Sequence, residues 1–184
     1  MILPGMAQPR GGAGGLLAGL KERSRRRVMG AELDAGAILT CVHRGLDVVH
    51  ADLDRGLSLF ADDGFDFVVL SQTLQTVRDV QRVIDDMLRV GRSGIVSFPN
   101  FAYRPLRAML ADQGRAPGTV GGLLRHNWYD TPNIRFLSIA DFEDYCADKG
   151  IQVHRRIALD TEAGAEVTDD PNLNADMAIF VISR

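Results

Sequence analysis

Four carboxylates, Glu32, Asp34, Asp52 and Asp54, follow two short apolar runs at residues 28–31 and 46–50. An acid at the end of the second strand of an open α/β sheet accepts hydrogen bonds from ribose hydroxyls, because one carboxylate can take two donors at once. The plainer alternative is that these acids sit in exposed turns or cap helices. A later strand end, Ser71-Gln72-Thr73, continues to Gln75 and offers only neutral amides and hydroxyls. His126 and Tyr129 are the candidate proton acceptors, each with a structural role as the alternative. No Ser-His-Asp order with a nucleophile elbow appears, so acyl transfer by this chain alone is not expected and no catalytic residue is assigned. The 4 histidines lack zinc-ligand spacing, and the 2 cysteines, Cys41 and Cys146, lie far apart in segments that read as amphipathic helices. They read as small buried hydrophobes, and no metal is expected.

The elements that must position these groups are clearest over residues 65–100. Residues 67–70 form a short apolar run of the kind buried in a parallel sheet, ended by Ser71-Gln72-Thr73. Val80, Val83, Ile84, Met87 and Leu88 then recur at helical spacing, with Asp79 placed to cap the start and Gly91 to end it. A second apolar run, 95–98, stops at Pro99-Asn100. A right-handed βαβ crossover puts both strand ends on one edge of the sheet, where open α/β folds bind ligands.

Elsewhere, residues 1–15 carry Pro4, Gly5, Pro9 and a glycine-rich run, and on their own terms are a flexible, turn-rich lead-in. Residues 28–32, 46–50, 151–159 and 177–182 read as strands. Helices are expected from Leu16, after Asp34, near Leu106 and after Ser138, where Asp141 completes a capping box. Residues 161–174 read as an acidic loop. Residues 126–133 hold the single Trp, Trp128, which either plugs the core or serves an interface or lid. The alternation indicates a three-layer α/β sandwich.

At 184 residues, 46% hydrophobic and 24% charged, the chain suits one domain spanning residues 1–184. A net charge of −3 argues against a general affinity for nucleic acid. The arginines at 23 and 25–27 read as a solvated helix end. No segment has the length of a membrane span or the apolar core of a signal peptide, so a cytoplasmic protein is expected.

The segments 65–75, 87–91, 95–101 (IVSFPNF) and 127–134 (NWYDTPNI), followed by Asp141-Phe142-Glu143, resemble the methionine biosynthesis protein MetW family. The resemblance runs from about Gly14 to the C-terminus. It implies a Rossmann-like, class I methyltransferase fold: a seven-stranded, mostly parallel sheet with an antiparallel last strand, supplied by residues 177–182. It also implies an accessory subunit of methionine synthesis that binds and activates a homoserine O-acyltransferase. The alternative is an S-adenosylmethionine-dependent methyltransferase acting on a small molecule. Carried over by position, Glu32 matches the acid that holds the ribose of S-adenosylmethionine and Asp52 the acid beside the adenine. Gly12 and Gly14 fall in the glycine loop, and Ser71 lies at the end of the fourth strand. The chain departs from the family pattern at Arg10, where the first loop glycine should stand, and no readable strand precedes it. The first strand and glycine loop are therefore expected to be atypical or missing, with S-adenosylmethionine bound weakly or not at all. Residues 1–12 then read as a misplaced start or shifted frame, or alternatively residues 1–7 form an irregular substitute strand.

Overall fold

A computed structural model describes residues 1–4, 14–24, 27–117 and 126–184. The expected βαβ unit is β4 (Phe65–Ser71), α3 (Val80–Val90) and β5 (Gly91–Pro99). The two strands are parallel, with Val69 opposite Ile95 and Leu70 opposite Val96. Side chains alternate across a strand, so Val68, Leu70, Val96 and Phe98 share one face, all fully buried. Helix α3 lays Val83, Ile84, Met87 and Val90 against that face. Asp79 caps α3 by accepting the Arg82 N–H at 3.0 Å. Gly91 does more than end the helix: at φ −118° it is already extended and is the first residue of β5.

The strand expected to be atypical or missing is present. Strand β1 (Ile2–Pro4) runs parallel between β2 (Gly30–Glu32) and β4. The Ile2 N–H donates to Met29 O at 2.8 Å and the Val69 N–H to Met1 O at 2.7 Å, so the facing edges of β2 and β4 do not leave buried backbone groups orphaned. Three residues thus do the work of the central strand, and the start of the lead-in is not a turn. Ile2 is 3% exposed and packs with Leu17, Cys41 and Leu46.

Beyond β2 lies β3 (Val48–His50), also parallel. Strand β8 (Met177–Ser183) pairs antiparallel with β5, as expected of the last strand. Strand β6 (Gln152–Asp160) pairs antiparallel with β8, and a two-residue β7 (Ala165–Glu166) folds back on β6. The order is β3-β2-β1-β4-β5-β8-β6-β7, eight strands where seven were expected. The extra strand and a short helix, α6 (Pro171–Asn174), lie within the segment expected to be only a loop.

Helices α1 (Gly15–Arg23) and α2 (Ala35–His43) contribute Leu17 and Cys41 to a small core with Ile2, Val48 and Val69. Helix α5 (Ile139–Asp148), opened by the expected Ser138–Asp141 capping box, joins α3 on the opposite face and adds Ile139, Phe142 and Cys146 to the main core. Phe98, Phe142 and Phe180 stack there with ring centroids 4.8–5.8 Å apart. Helix α4 (Arg104–Gln113) follows β5. Cys41 and Cys146 are both free and buried, as their helical setting suggested.

Candidate functional site

The parallel strands end together on one edge, and the acids sit there. Glu32 closes β2; its Oε1 accepts the N–H groups of Leu33 (2.8 Å) and Asp34 (3.0 Å). That pair of bonds fixes the carboxylate and leaves Oε2 without a partner among the described residues. Asp52, two residues past β3, accepts the Asp54 N–H at 3.0 Å and lies 3.4 Å from the exposed Arg55 guanidinium. Asp54 in turn accepts the Arg78 N–H at 2.9 Å, tying the loop after β3 to the loop after β4. Asp34 is a helix cap, accepting the Ala37 N–H at 2.7 Å. The turn-and-cap alternative thus describes Asp34 fully and Asp52 as well, which caps the short 3-10 turn Leu53–Arg55, while Glu32, Asp52 and Asp54 also line a shared cleft.

That cleft, of about 70 Å³, is lined by Glu32, Asp52, Asp54, Thr73, Thr76 and neighbouring apolar groups. Its described lining carries three carboxylates and no cation. Such a surface suits hydroxyl donors or a cationic ligand and repels phosphate. A second crevice, also lined by Ala31 and Glu32, reaches Gly14 and Gly15 at the start of α1. Gly14 has φ +80°, and a Cβ there would stand 2.7 Å from Cys41 Sγ and 2.8 Å from Leu46 Cδ1. Burial first, and the Glu32 carboxylate second, push the Cys41 thiol above its usual range and keep it neutral. The structure therefore brings Gly14, Glu32 and Asp52 to one edge. Gly12 lies outside the described residues. Ser71 is on the same edge but only 8% exposed and does not line the cleft.

Thr76 and Val77 are cleft residues that sequence reasoning did not name, while Thr73 belongs to the strand end it placed on the ligand-binding edge. The signal was there, in two threonines one turn apart directly after a buried strand. Their hydroxyls brace the loop: Thr73 Oγ1 donates to Ser71 O (2.9 Å) and Thr76 Oγ1 to Thr73 O (2.8 Å). Gln75 Nε2 donates to Gln72 O at 2.9 Å, while its Oε1 is buried without a partner among the described residues. Gln72 adopts φ +48°, an uncommon left-handed conformation for a residue with a side chain.

The other half of the edge is structural. Asn100, fully buried, donates to Asn172 O (3.0 Å) and Ala175 O (2.7 Å) and accepts the Ala102 N–H at 3.1 Å. Burial raises the Asp176 carboxyl even though Thr161 donates to it through both backbone and hydroxyl. Trp128 does not plug the core: it is 77% exposed, edge-on to Tyr129. Among the described residues no helix is long and apolar enough to cross a membrane, and no cluster of three metal-binding side chains occurs.

Comparison with known proteins agrees with this architecture. An S-adenosylmethionine-dependent methyltransferase from Mesorhizobium loti superposes with a TM-score of 0.68 at 16% identity, over 100% of this chain and 90% of its own. A methyltransferase from Thermotoga maritima gives 0.65 at 16%, over 99% and 80%. The [4+2]-cyclase SpnF gives 0.64 at 13%, over 100% and 74%, so the fold is not confined to proteins named for methyl transfer. In sequence, a bifunctional methionine biosynthesis protein MetXA/MetW from Rhodopirellula baltica is 40% identical over 183 residues, 94% of this chain but only 29% of that protein. The model of the family described as methionine biosynthesis protein MetW matches residues 9–182, and with a Rossmann-like methyltransferase sheet beneath that match, this chain belongs to the MetW family.

Proposed function

We propose that this chain is an accessory subunit that binds and activates a homoserine O-acyltransferase. The observation that carries this reading is the Rhodopirellula relative, in which a MetW module and a MetXA module share one polypeptide. Fusion holds two modules at high effective concentration, an arrangement that suits proteins working as a pair. The site geometry agrees. The hydroxyls and amide after β4 are engaged in holding their own loop, so no general acid or base faces the cleft from that strand end.

The test is to assay the acyltransferase of the same organism with and without this chain. A rise in acyl transfer to homoserine on addition, with a co-purifying complex, is the expected result. An acyltransferase equally active and stable alone removes the reading.

A second reading, an S-adenosylmethionine-dependent methyltransferase acting on a small molecule, is favoured by the convergence of Gly14, Glu32 and Asp52. Methyl transfer to an already nucleophilic substrate needs alignment more than a base. Calorimetric titration with S-adenosylmethionine decides it: absence of binding eliminates this reading and leaves the first untouched.

A further inference from the structure

The most unusual surface of the molecule lies beside the cleft, across the loop that follows β4. A groove of about 580 Å³ runs between the start of α3, the start of α5 and residues 134–137, lined by Leu74, Val80, Ile134, Phe136, Leu137 and Tyr145. Ile134 is 55% exposed and Phe136 62%, and the same loop carries the exposed Trp128 and Tyr129. An exposed apolar residue elsewhere, such as Leu110, needs no explanation; four large ones within nine residues, two of them lining an apolar groove, do.

The loop is built rather than loose. The Ile134 and Arg135 N–H groups donate to Gln75 O at 2.8 and 3.2 Å, and the Phe101 N–H donates to Leu137 O at 3.0 Å. The Arg135 guanidinium donates to Val77 O and Arg78 O. Phe136 stands edge-on to Phe101, centroids 4.8 Å apart. Its rim acids are already engaged, Asp79 by the Arg82 N–H and Asp141 by Ser138. An apolar floor, aromatic and Arg-bearing walls and a satisfied polar rim are the anatomy of a protein interface, and a preformed one loses little entropy on docking.

We infer that this groove, with Ile134 and Phe136 as anchors, is where the homoserine acyltransferase docks, through an apolar face of a helix or loop inserted between α3 and α5. The inference rests on the reading under Proposed function. The occupant is argued from the fused relative: the matched module is 29% of that chain, and the name given to the rest is MetXA, so that module is the partner held within reach of this surface. A groove that receives an apolar helix face recognises it by side chains one turn apart.

The experiment measures the affinity of the full chain for the acyltransferase of the same organism by sedimentation or interferometry. Three single variants are compared, Phe136→Asp, Ile134→Asp and, as control, Leu110→Asp on α4 outside the groove. Each variant is first checked for a wild-type thermal transition; if Phe136→Asp lacks one, Ile134→Asp is read in its place. Expected is a loss of about tenfold or more for the groove variants and unchanged affinity for the control. A wild-type complex insensitive to both groove variants overturns the docking site and leaves the proposed function standing. Failure of the wild-type chain to bind overturns both. A self-association of this chain abolished by Phe136→Asp, with acyltransferase binding unaffected, assigns the groove to a second copy and also overturns the inference.

Discussion

Replacing Gly14 by alanine tests whether the turn into α1 is held by sterics. At φ +80° an added Cβ meets the left-handed penalty, about 1–2 kcal/mol for an L-residue. It also lands 2.7 Å from Cys41 Sγ and 2.8 Å from Leu46 Cδ1, both closer than real Cβ contacts allow. Those neighbours belong to the small core that holds β1 and α2, so they yield only by shifting packed groups, at about 1–3 kcal/mol. Together the substitution costs about 2–5 kcal/mol, a large part of the ~5–15 kcal/mol that stabilises a typical domain. Urea unfolding followed by circular dichroism reads it as a lower midpoint with an unchanged slope. The Cys41→Ala background separates the two terms. Without Sγ the overlap is relieved on one side, so Gly14→Ala costs at least ~0.5 kcal/mol less there than in the wild-type chain, while the backbone penalty remains. A cost below about 0.5 kcal/mol in the wild-type background, or strict additivity with Cys41→Ala, would refute the reasoning.

Truncating Ile2, a buried residue of the central strand, to Ala is expected to cost about 2–5 kcal/mol in urea and to speed amide exchange at Val69, whose N–H donates to Met1 O. Asn100→Asp replaces a buried donor to Asn172 O and Ala175 O with an acceptor, so it destabilises more than Asn100→Ala. That excess shrinks when unfolding is repeated near pH 4, where the new carboxyl takes up a proton and can donate again. Burial holds the Cys146 thiol up at about 11 from 9.0 and the Tyr145 phenol at about 12 from 10.0. Between about pH 9 and 12 the unfolded chain therefore gives up protons that the folded chain keeps, and stability falls as pH rises. The slope of unfolding free energy against pH in that window is expected to flatten in Cys146→Ala.

Much of this architecture was legible because periodicity and punctuation agreed. The apolar runs at residues 67–70 and 95–98, the helical spacing from Val80, and the Ser138–Asp141 box each named an element by its own physics, and each is present. The central strand was not legible, since Ile2-Leu3-Pro4 is too short to show a period and ends in proline, which reads as a turn. What makes it a strand is tertiary: two parallel neighbours, β2 and β4, each with an edge to satisfy. Glu32 and Asp52 were named through the family resemblance, and they share one edge because strand ends in an open α/β sheet converge, a rule of topology and not of local sequence. Thr76 was not named because its one signal, a spacing of one turn from Thr73, lies in a loop where spacing carries little weight. The environment of Trp128 was likewise undecidable from its type alone, since burial at that position depends on whether another surface covers it.

The segment from Ser71 to Asp79 carries the clearest physical statement about this molecule. It leaves β4 through Gln72 at φ +48°, a conformation that costs of order 1–3 kcal/mol and persists only where the surroundings over-determine it. Here they do: the Gln72 N–H donates to Ser97 O at 2.8 Å, and Gln72 O accepts from Gln75 Nε2. Arg78 N–H is held by Asp54, and the carbonyls of Val77 and Arg78 by Arg135. The loop so fixed has two faces, with Thr73, Thr76 and Val77 toward the acidic cleft and Leu74 and Arg78 toward the apolar groove. Most of its polar groups go into that rigidity. Gln75 Oε1 is the buried acceptor left over among the described residues. A loop that bonds to itself and walls two surfaces holds its shape before anything docks on either of them.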